Sequence, residues 1–94
     1  MVKHLDIIVK GKVQGVFFRA STKAVANQLG VRGTVKNNPD GSVSIEAEAD
    51  EALIGMFLDF CHEGPENAQV EEVLTTEGPV KNYRNFEVLK RGLF

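Results

Sequence analysis

Over residues 42–49 the chain alternates strictly, with Val43, Ile45, Ala47 and Ala49 on one side and Ser42, Ser44, Glu46 and Glu48 on the other. Successive side chains of an extended chain point to opposite faces, so this run reads as a strand with one buried and one solvated face. A sheet of such strands must be covered on its apolar side by helices or by a second sheet. Leu5, Ile7 and Val9 alternate in the same way with His4, Asp6 and Lys10, which predicts a first strand. Residues 31–36 read as another strand. Asn37-Asn38-Pro39-Asp40-Gly41 then reverses the chain into the 42–49 run, giving a hairpin.

The covering helices are legible too. Ala-rich residues 20–29, with Val25 and Leu29 four apart and Gly30 as a stop, predict a helix over about 19–29. Asp50 can cap a second helix, whose apolar stripe is Leu53, Met56, Phe57 and Phe60 and which Gly64-Pro65 ends. Residues 70–76 form a weaker strand pattern interrupted by Glu71 and Glu72, and Phe86-Glu87-Val88 suggests a last short strand. The order is β-α-β-β-α-β plus a short C-terminal strand. The expected class is α+β, a ferredoxin-like split βαβ sandwich with an antiparallel sheet and both helices on one face. That plan serves many functions, so it settles none.

Composition narrows the partners. Residues 1–94 make one expected domain, because domains usually hold roughly 100–150 residues and a second core would not fit. A net charge of −2 gives no global attraction to nucleic acid or to an anionic membrane, so any anion site must be local. No apolar run approaches the ~20 residues of a membrane span, and Asp6 and Lys10 break up a leader-like stretch. The single Cys61 excludes an intrachain disulfide and offers no pair for a metal or redox motif, so the expected setting is the reducing cytoplasm. A monomer is the simplest expectation.

The chemistry-bearing segment is Gly11-Lys12-Val13-Gln14-Gly15-Val16-Phe17-Phe18-Arg19, where the first strand hands over to the first helix. A turn there leaves backbone N–H groups free to converge on one anion beside the positive end of the helix. Arg19 adds a permanent charge and a planar fork suited to phosphate or carboxylate. At least one of Phe17 and Phe18 is expected to pack into the core and hold the loop. The P-loop and dinucleotide fingerprints are absent, so spacing alone leaves an anion loop and an ordinary strand–helix connection both open. Asn37 closes the second strand. Its amide can orient a water without carrying charge, or it can serve only as a turn residue, as Asn38 does. His4 and the Glu46/Glu48 pair are expected on a solvated strand face, His62 near a helix C-terminus, and Cys61 as a half-buried small residue.

Taken together, two of these segments resemble a known family. Gly11-Lys-Val-Gln-Gly-Val-Phe-Phe-Arg19 is similar to the first signature of the acylphosphatases, and Gly33-Thr-Val-Lys-Asn-Asn-Pro-Asp-Gly41 to the second. Gly64-Pro65 with Ala68, Val70 and Val73 also matches the family pattern, so the resemblance runs over essentially the whole chain. It implies hydrolysis of an acyl phosphate to a carboxylate and inorganic phosphate. It also implies that the amides of Gln14, Gly15, Val16, Phe17 and Phe18 hold the phosphoryl oxygens, Arg19 binds the phosphate and Asn37 positions the attacking water. No cofactor or metal is expected. Thr34 departs from the bulkier aromatic common at that position, which bears on packing or substrate preference. The chemistry agrees, since a carboxylate leaves without a general acid and phosphoryl transfer asks mainly for positioning and charge stabilisation. The rivals are a non-catalytic phosphate- or anion-binding regulatory domain and an RNA-binding domain of the same fold. The RNA reading needs exposed aromatics on the central strands, where this chain has Ser42, Ser44, Glu46 and Glu48.

Overall fold

The structure is a computed structural model that describes residues 1–15 and 17–89. Its elements are β1 (Val2–Lys12), α1 (Phe18–Leu29), β2 (Arg32–Asn37), β3 (Val43–Asp50), α2 (Glu51–Glu63), β4 (Gln69–Gly78) and β5 (Phe86–Val88). They build a sheet of order β4-β1-β3-β2-β5. Neighbours among β1 to β4 run antiparallel, whereas β5 lies parallel to β2, with Gly33 opposite Phe86 and Val35 opposite Val88. The sheet is therefore mixed. The reason is topological: β5 returns along the free edge of β2 after the chain has crossed the sheet. This is the expected ferredoxin-like α+β plan with two helices on one face.

Burial follows the alternation. Ile7 and Val9 of β1 and Val43, Ile45, Ala47 and Ala49 of β3 are buried under the helices, together with Val35 and Phe86. Facing them are Phe18, Thr22 and Ala26 of α1 and Ile54, Phe57 and Cys61 of α2. The stripe of α2 thus differs from the expected one, for Met56 is 54% exposed and Cys61 is fully buried. Ile54, Phe57 and Cys61 fall at positions 0, 3 and 7 of one helix face. Met56, one residue before Phe57, is turned roughly 100° away from it. Asp50 occupies the N-cap position of α2 but makes no side-chain cap bond; its carboxylate instead meets the N-terminal amine at 3.1 Å.

Two irregularities aim the chain at one end of the sheet. The β1–β4 register shifts between Lys10 and Gly11, and a Cβ on Gly11 would lie 2.1 Å from the Gln69 carbonyl oxygen. Such a bulge bends the end of a strand and so re-aims the loop that follows. On the hairpin, Gly41 N–H donates to Asn38 C=O at 3.1 Å and Asp40 Oδ1 accepts from Ser42 N–H at 2.9 Å, as the Pro-Asp-Gly signal requires. No helix of the described residues is long and apolar enough to cross a membrane.

Candidate active site

Among the described residues of the loop between β1 and α1, two are left-handed. Gly15 has φ 73°, which costs a glycine little, and Phe17 has φ 59° and ψ 23° at the N-cap of α1. For a residue with a Cβ that conformation costs about 1–2 kcal/mol, and such strain concentrates at functional sites. The first intrahelical bond runs from Ser21 N–H to Phe17 C=O at 2.9 Å, so the amides of Phe18, Arg19 and Ala20 have no acceptor in the helix. Phe17 provides no side-chain cap, and the first turn carries no acidic residue. A helix start left uncapped in this way, with its dipole unopposed, is a ready anion site.

The two phenylalanines divide their work as expected. Phe18 is 1% exposed and meets Phe60 at a ring-centroid distance of 6.0 Å, pinning the helix start to the core, while Phe17 is 81% exposed. The Val16 amide, expected in the same nest, lies outside the described residues. Gln14 does more than offer its amide. Its Nε2 donates to Asn38 C=O and to Ser42 C=O, each at 2.8 Å, so the loop is tied to the β2–β3 hairpin. Asn38 braces the same turn, donating from Nδ2 to Ser42 Oγ at 2.9 Å and to Ser44 Oγ at 2.6 Å. The sequence carried no sign of the Gln14 tie, because both acceptors are backbone carbonyls that any residue supplies.

These constraints bring Arg19 and Asn37 to one concavity of about 330 Å³, which Gly15, Phe17 and Val88 also line. Arg19 is half-buried and, among the described residues, forms no ion pair. The Oδ1 of Asn37 is buried and has no hydrogen-bond partner among the described residues. A buried acceptor left unmatched costs about 1–3 kcal/mol, so the site calls for a donor such as water. Val88 enters the lining from β5, a contribution the sequence pattern did not single out.

Other reactive groups lie elsewhere. Cys61 is fully buried, and burial pushes its thiol up to about 12, which removes it as a nucleophile. His62 bonds the Leu58 carbonyl at 2.9 Å near the end of α2, in the position expected of it. His4 and Glu48 correct the sequence reading: they are on the sheet face away from the helices, yet 1% and 0% exposed. Residues 79–85 cover that face, with Lys81 N–H and Tyr83 N–H donating to the Glu48 carboxylate. His4, Asp6 and Glu46 bring potential metal-ligand atoms within 4.8 Å of one another, but Lys81 Nζ already holds Glu46 at 2.7 Å. This group sits at the far end of β1 from the β1–α1 loop.

The fold and site so far define a ferredoxin-like α+β sandwich with an uncapped helix start and one pocket lined by Arg19 and by Asn37, whose buried amide oxygen has no partner among the described residues. Comparison with known proteins makes that class specific. A family model described as Acylphosphatase matches residues 5–88. An acylphosphatase of Marinobacter nauticus is 49% identical over 78 residues, covering 83% of this chain and 85% of that one. An acylphosphatase structure from Coxiella burnetii superposes with a TM-score of 0.90 at 36% identity, over 94% of this chain and 93% of its own. One from Bacillus subtilis gives 0.90 at 32% identity, over 95% and 99%. The chain belongs to the acylphosphatase family, enzymes that hydrolyse the carboxyl–phosphate bond of acyl phosphates.

Proposed function

We propose that residues 1–94 act as a single acylphosphatase domain in which the β1–α1 loop and Arg19 hold the phosphoryl group while Asn37 guides the attacking water. The reaction is RCO–OPO₃²⁻ + H₂O → RCOO⁻ + H₂PO₄⁻. The water oxygen forms the new bond to phosphorus as the bond from phosphorus to the carboxylate oxygen breaks, and the protons of the water remain on phosphate. The amides of Gln14, Gly15, Val16, Phe17 and Phe18 and the Arg19 guanidinium stabilise charge on the phosphoryl oxygens in a preorganised way. A proton from the water rests on Asn37 Oδ1 as a hydrogen bond, which orients the lone pair toward phosphorus. A phosphoryl oxygen then takes the proton, so no protein base is required.

The observation that carries this reading is that Asn37, whose buried Oδ1 has no partner among the described residues, lines the same pocket as Arg19. No carboxylate, histidine or cysteine is among the described lining residues, and the proposed steps call on no protein-bound metal or cofactor. The single cysteine and the net charge of −2 fit a cytoplasmic monomer acting on a small molecule, with no nucleic acid partner.

The test is phosphate release from acetyl phosphate in the presence of chelator. The wild type is expected to turn over. Arg19→Ala and Asn37→Ala each lower kcat by about 10²–10³-fold or more, the scale for removing one preorganised donor or charge. Phosphate binding without turnover in the wild type would instead identify a regulatory anion-binding domain.

A further inference from the structure

His4, Asp6, Glu46 and Glu48 form a two-by-two block on neighbouring strands, since His4 stands opposite Glu48 and Asp6 opposite Glu46 in the β1–β3 register. The His4 ring is 1% exposed, so its nitrogens meet the block rather than water. Glu48, itself fully buried, takes Nδ1 at 2.7 Å and so turns Nε2 toward the other two carboxylates. Nε2 meets Asp6 Oδ1 at 3.1 Å and lies 3.6 Å from Glu46 Oε1. With Nδ1–H given to Glu48, a neutral ring presents only a lone pair at Nε2, and the facing carboxylate oxygens present only lone pairs in return. Three acceptors that converge on one point call for a cation between them, either a proton on the ring or a metal ion. Lys81 Nζ, 2.7 Å from Glu46 Oε1, already brings a positive charge to the rim. Its side chain is 52% exposed, so it can leave for water at the small cost of a surface ion pair.

The dimensions suit a small ion. Ligands bonded to zinc at about 2.0–2.1 Å in a tetrahedron stand roughly 3.4 Å apart. The separations of 3.1 and 3.6 Å bracket that spacing, and the three ligand atoms all lie within 4.8 Å of one another. A carboxylate bonded to the far ring nitrogen is the arrangement that orients a metal-binding histidine. The half-exposed Asp6 leaves a way in and a fourth position for water.

We propose that His4, Asp6 and Glu46 form a binding site for one divalent ion of the zinc class, with Glu48 as the outer partner that orients His4. The imidazole nitrogen favours zinc or cobalt over magnesium and calcium, which prefer oxygen ligands throughout. On binding, any proton on Nε2 passes to solvent, the ion takes the three lone pairs and Lys81 swings outward. The ligands join β1 to β3 at the far end of β1 from the β1–α1 loop, so the ion acts on stability and not on hydrolysis. The proposal therefore stands apart from the acylphosphatase reading.

The experiment titrates the chelator-stripped protein with zinc chloride at pH 7.5 by calorimetry and repeats it with cobalt, magnesium and calcium chlorides. The wild type is expected to bind one zinc per chain with micromolar affinity. Zinc at about 100 times the Kd should raise Tm by about 10 °C. Cobalt should develop the visible absorption of a tetrahedral nitrogen–oxygen site. His4→Gln and Asp6→Asn each weaken zinc binding by at least about tenfold. Lys81→Ala, which removes the competing ammonium, tightens it by about threefold. That gain separates a site from a folding defect, because loss of structure does not improve affinity. Equal responses to zinc and magnesium would show diffuse attraction by carboxylates, and undiminished binding in His4→Gln or Asp6→Asn would place the ion elsewhere. Either result overturns the proposal, as does a wild type that binds no zinc or a Lys81→Ala variant that binds it no better.

Discussion

Gln14 illustrates what one side chain contributes that its motif does not announce. Its Nε2 holds Asn38 C=O and Ser42 C=O at 2.8 Å and so fixes the distance between the β1–α1 loop and the strand end that bears Asn37. Gln14→Ala leaves the loop amides intact but frees the two halves of the pocket from each other. It is expected to lower kcat/KM about tenfold or more, since sub-ångström misplacement in a positioning-driven reaction is costly. Stability should fall by about 1–2 kcal/mol for the lost bonds. Gln14→Glu is expected to be worse for activity, as its carboxylate cannot donate to carbonyls and repels the phosphoryl group. Steady-state kinetics beside urea unfolding checks both, and activity loss without stability loss in Gln14→Ala would contradict the tie. Arg19 and Asn37 could be singled out in the sequence as candidates because the chemistry proposed for them is in their own side chains, and the fold brings both to one pocket. The Gln14 tie could not, because its acceptors are backbone atoms brought near only by the fold.

At the scale of elements, strict alternation placed β1 and β3 and their buried faces, and glycine stops placed the ends of both helices. The α2 stripe was misread. Its residues 53–58 and 60–61 are almost continuously apolar, so a period of 3.6 can be drawn through several sets. Packing chose the set with Ile54, Phe57 and Cys61, and Phe57 meets Phe86 of β5 at 5.9 Å between ring centroids. This predicts the behaviour of the lone thiol. With Cys61 pushed from an ordinary 9.0 to about 12, its thiolate fraction near pH 8 falls about 10³-fold. Alkylation by iodoacetamide should therefore be slower in the native protein than in urea by at least about 10²-fold, and activity should survive the exposure. Rapid native labelling would mean that α2 is not packed in this register.

Across the whole molecule, a polar cluster joins the start of the chain to the segment that delivers β5 and Val88. His4 Nδ1 meets Glu48 at 2.7 Å and Nε2 meets Asp6 at 3.1 Å, and a neutral imidazole could donate only one of those bonds. Burial alone would lower the His4 pKa, but the bonds to Glu48 and Asp6 outweigh it and raise it above the ordinary 6.5. Burial likewise favours protonated Glu48, but Lys81 N–H, His4 and Tyr83 N–H together hold its pKa below the ordinary 4.5. Glu46 lies 3.6 Å from His4 Nε2, Lys81 Nζ bonds Glu46, the Tyr83 ring stacks on His4 at 6.4 Å, and Arg32 lies opposite Glu48 in register. Alternation assigned these carboxylates to the polar face but could not foresee the cover, because residues 79–85 have no periodicity of their own. The signs of the two shifts define a window. A raised histidine stabilises fully below its unfolded value, and that contribution is lost as pH rises through the folded pKa. A depressed carboxylate stabilises fully above its unfolded value, and that contribution is lost as pH falls through its folded pKa. This pair therefore contributes most between the ordinary values of 4.5 and 6.5, and the histidine part declines above that window. At pH 6, His4→Gln should lower stability by about 2 kcal/mol, the scale of a charge-assisted bond, or roughly 10 °C in Tm. The gap between wild type and variant should narrow as pH rises past 6.5, because only the wild type has a proton there to lose. Thermal melts from pH 5 to 9 measure that gap, and one that stays constant or widens would show that His4 is not held as an imidazolium between Glu48 and Asp6.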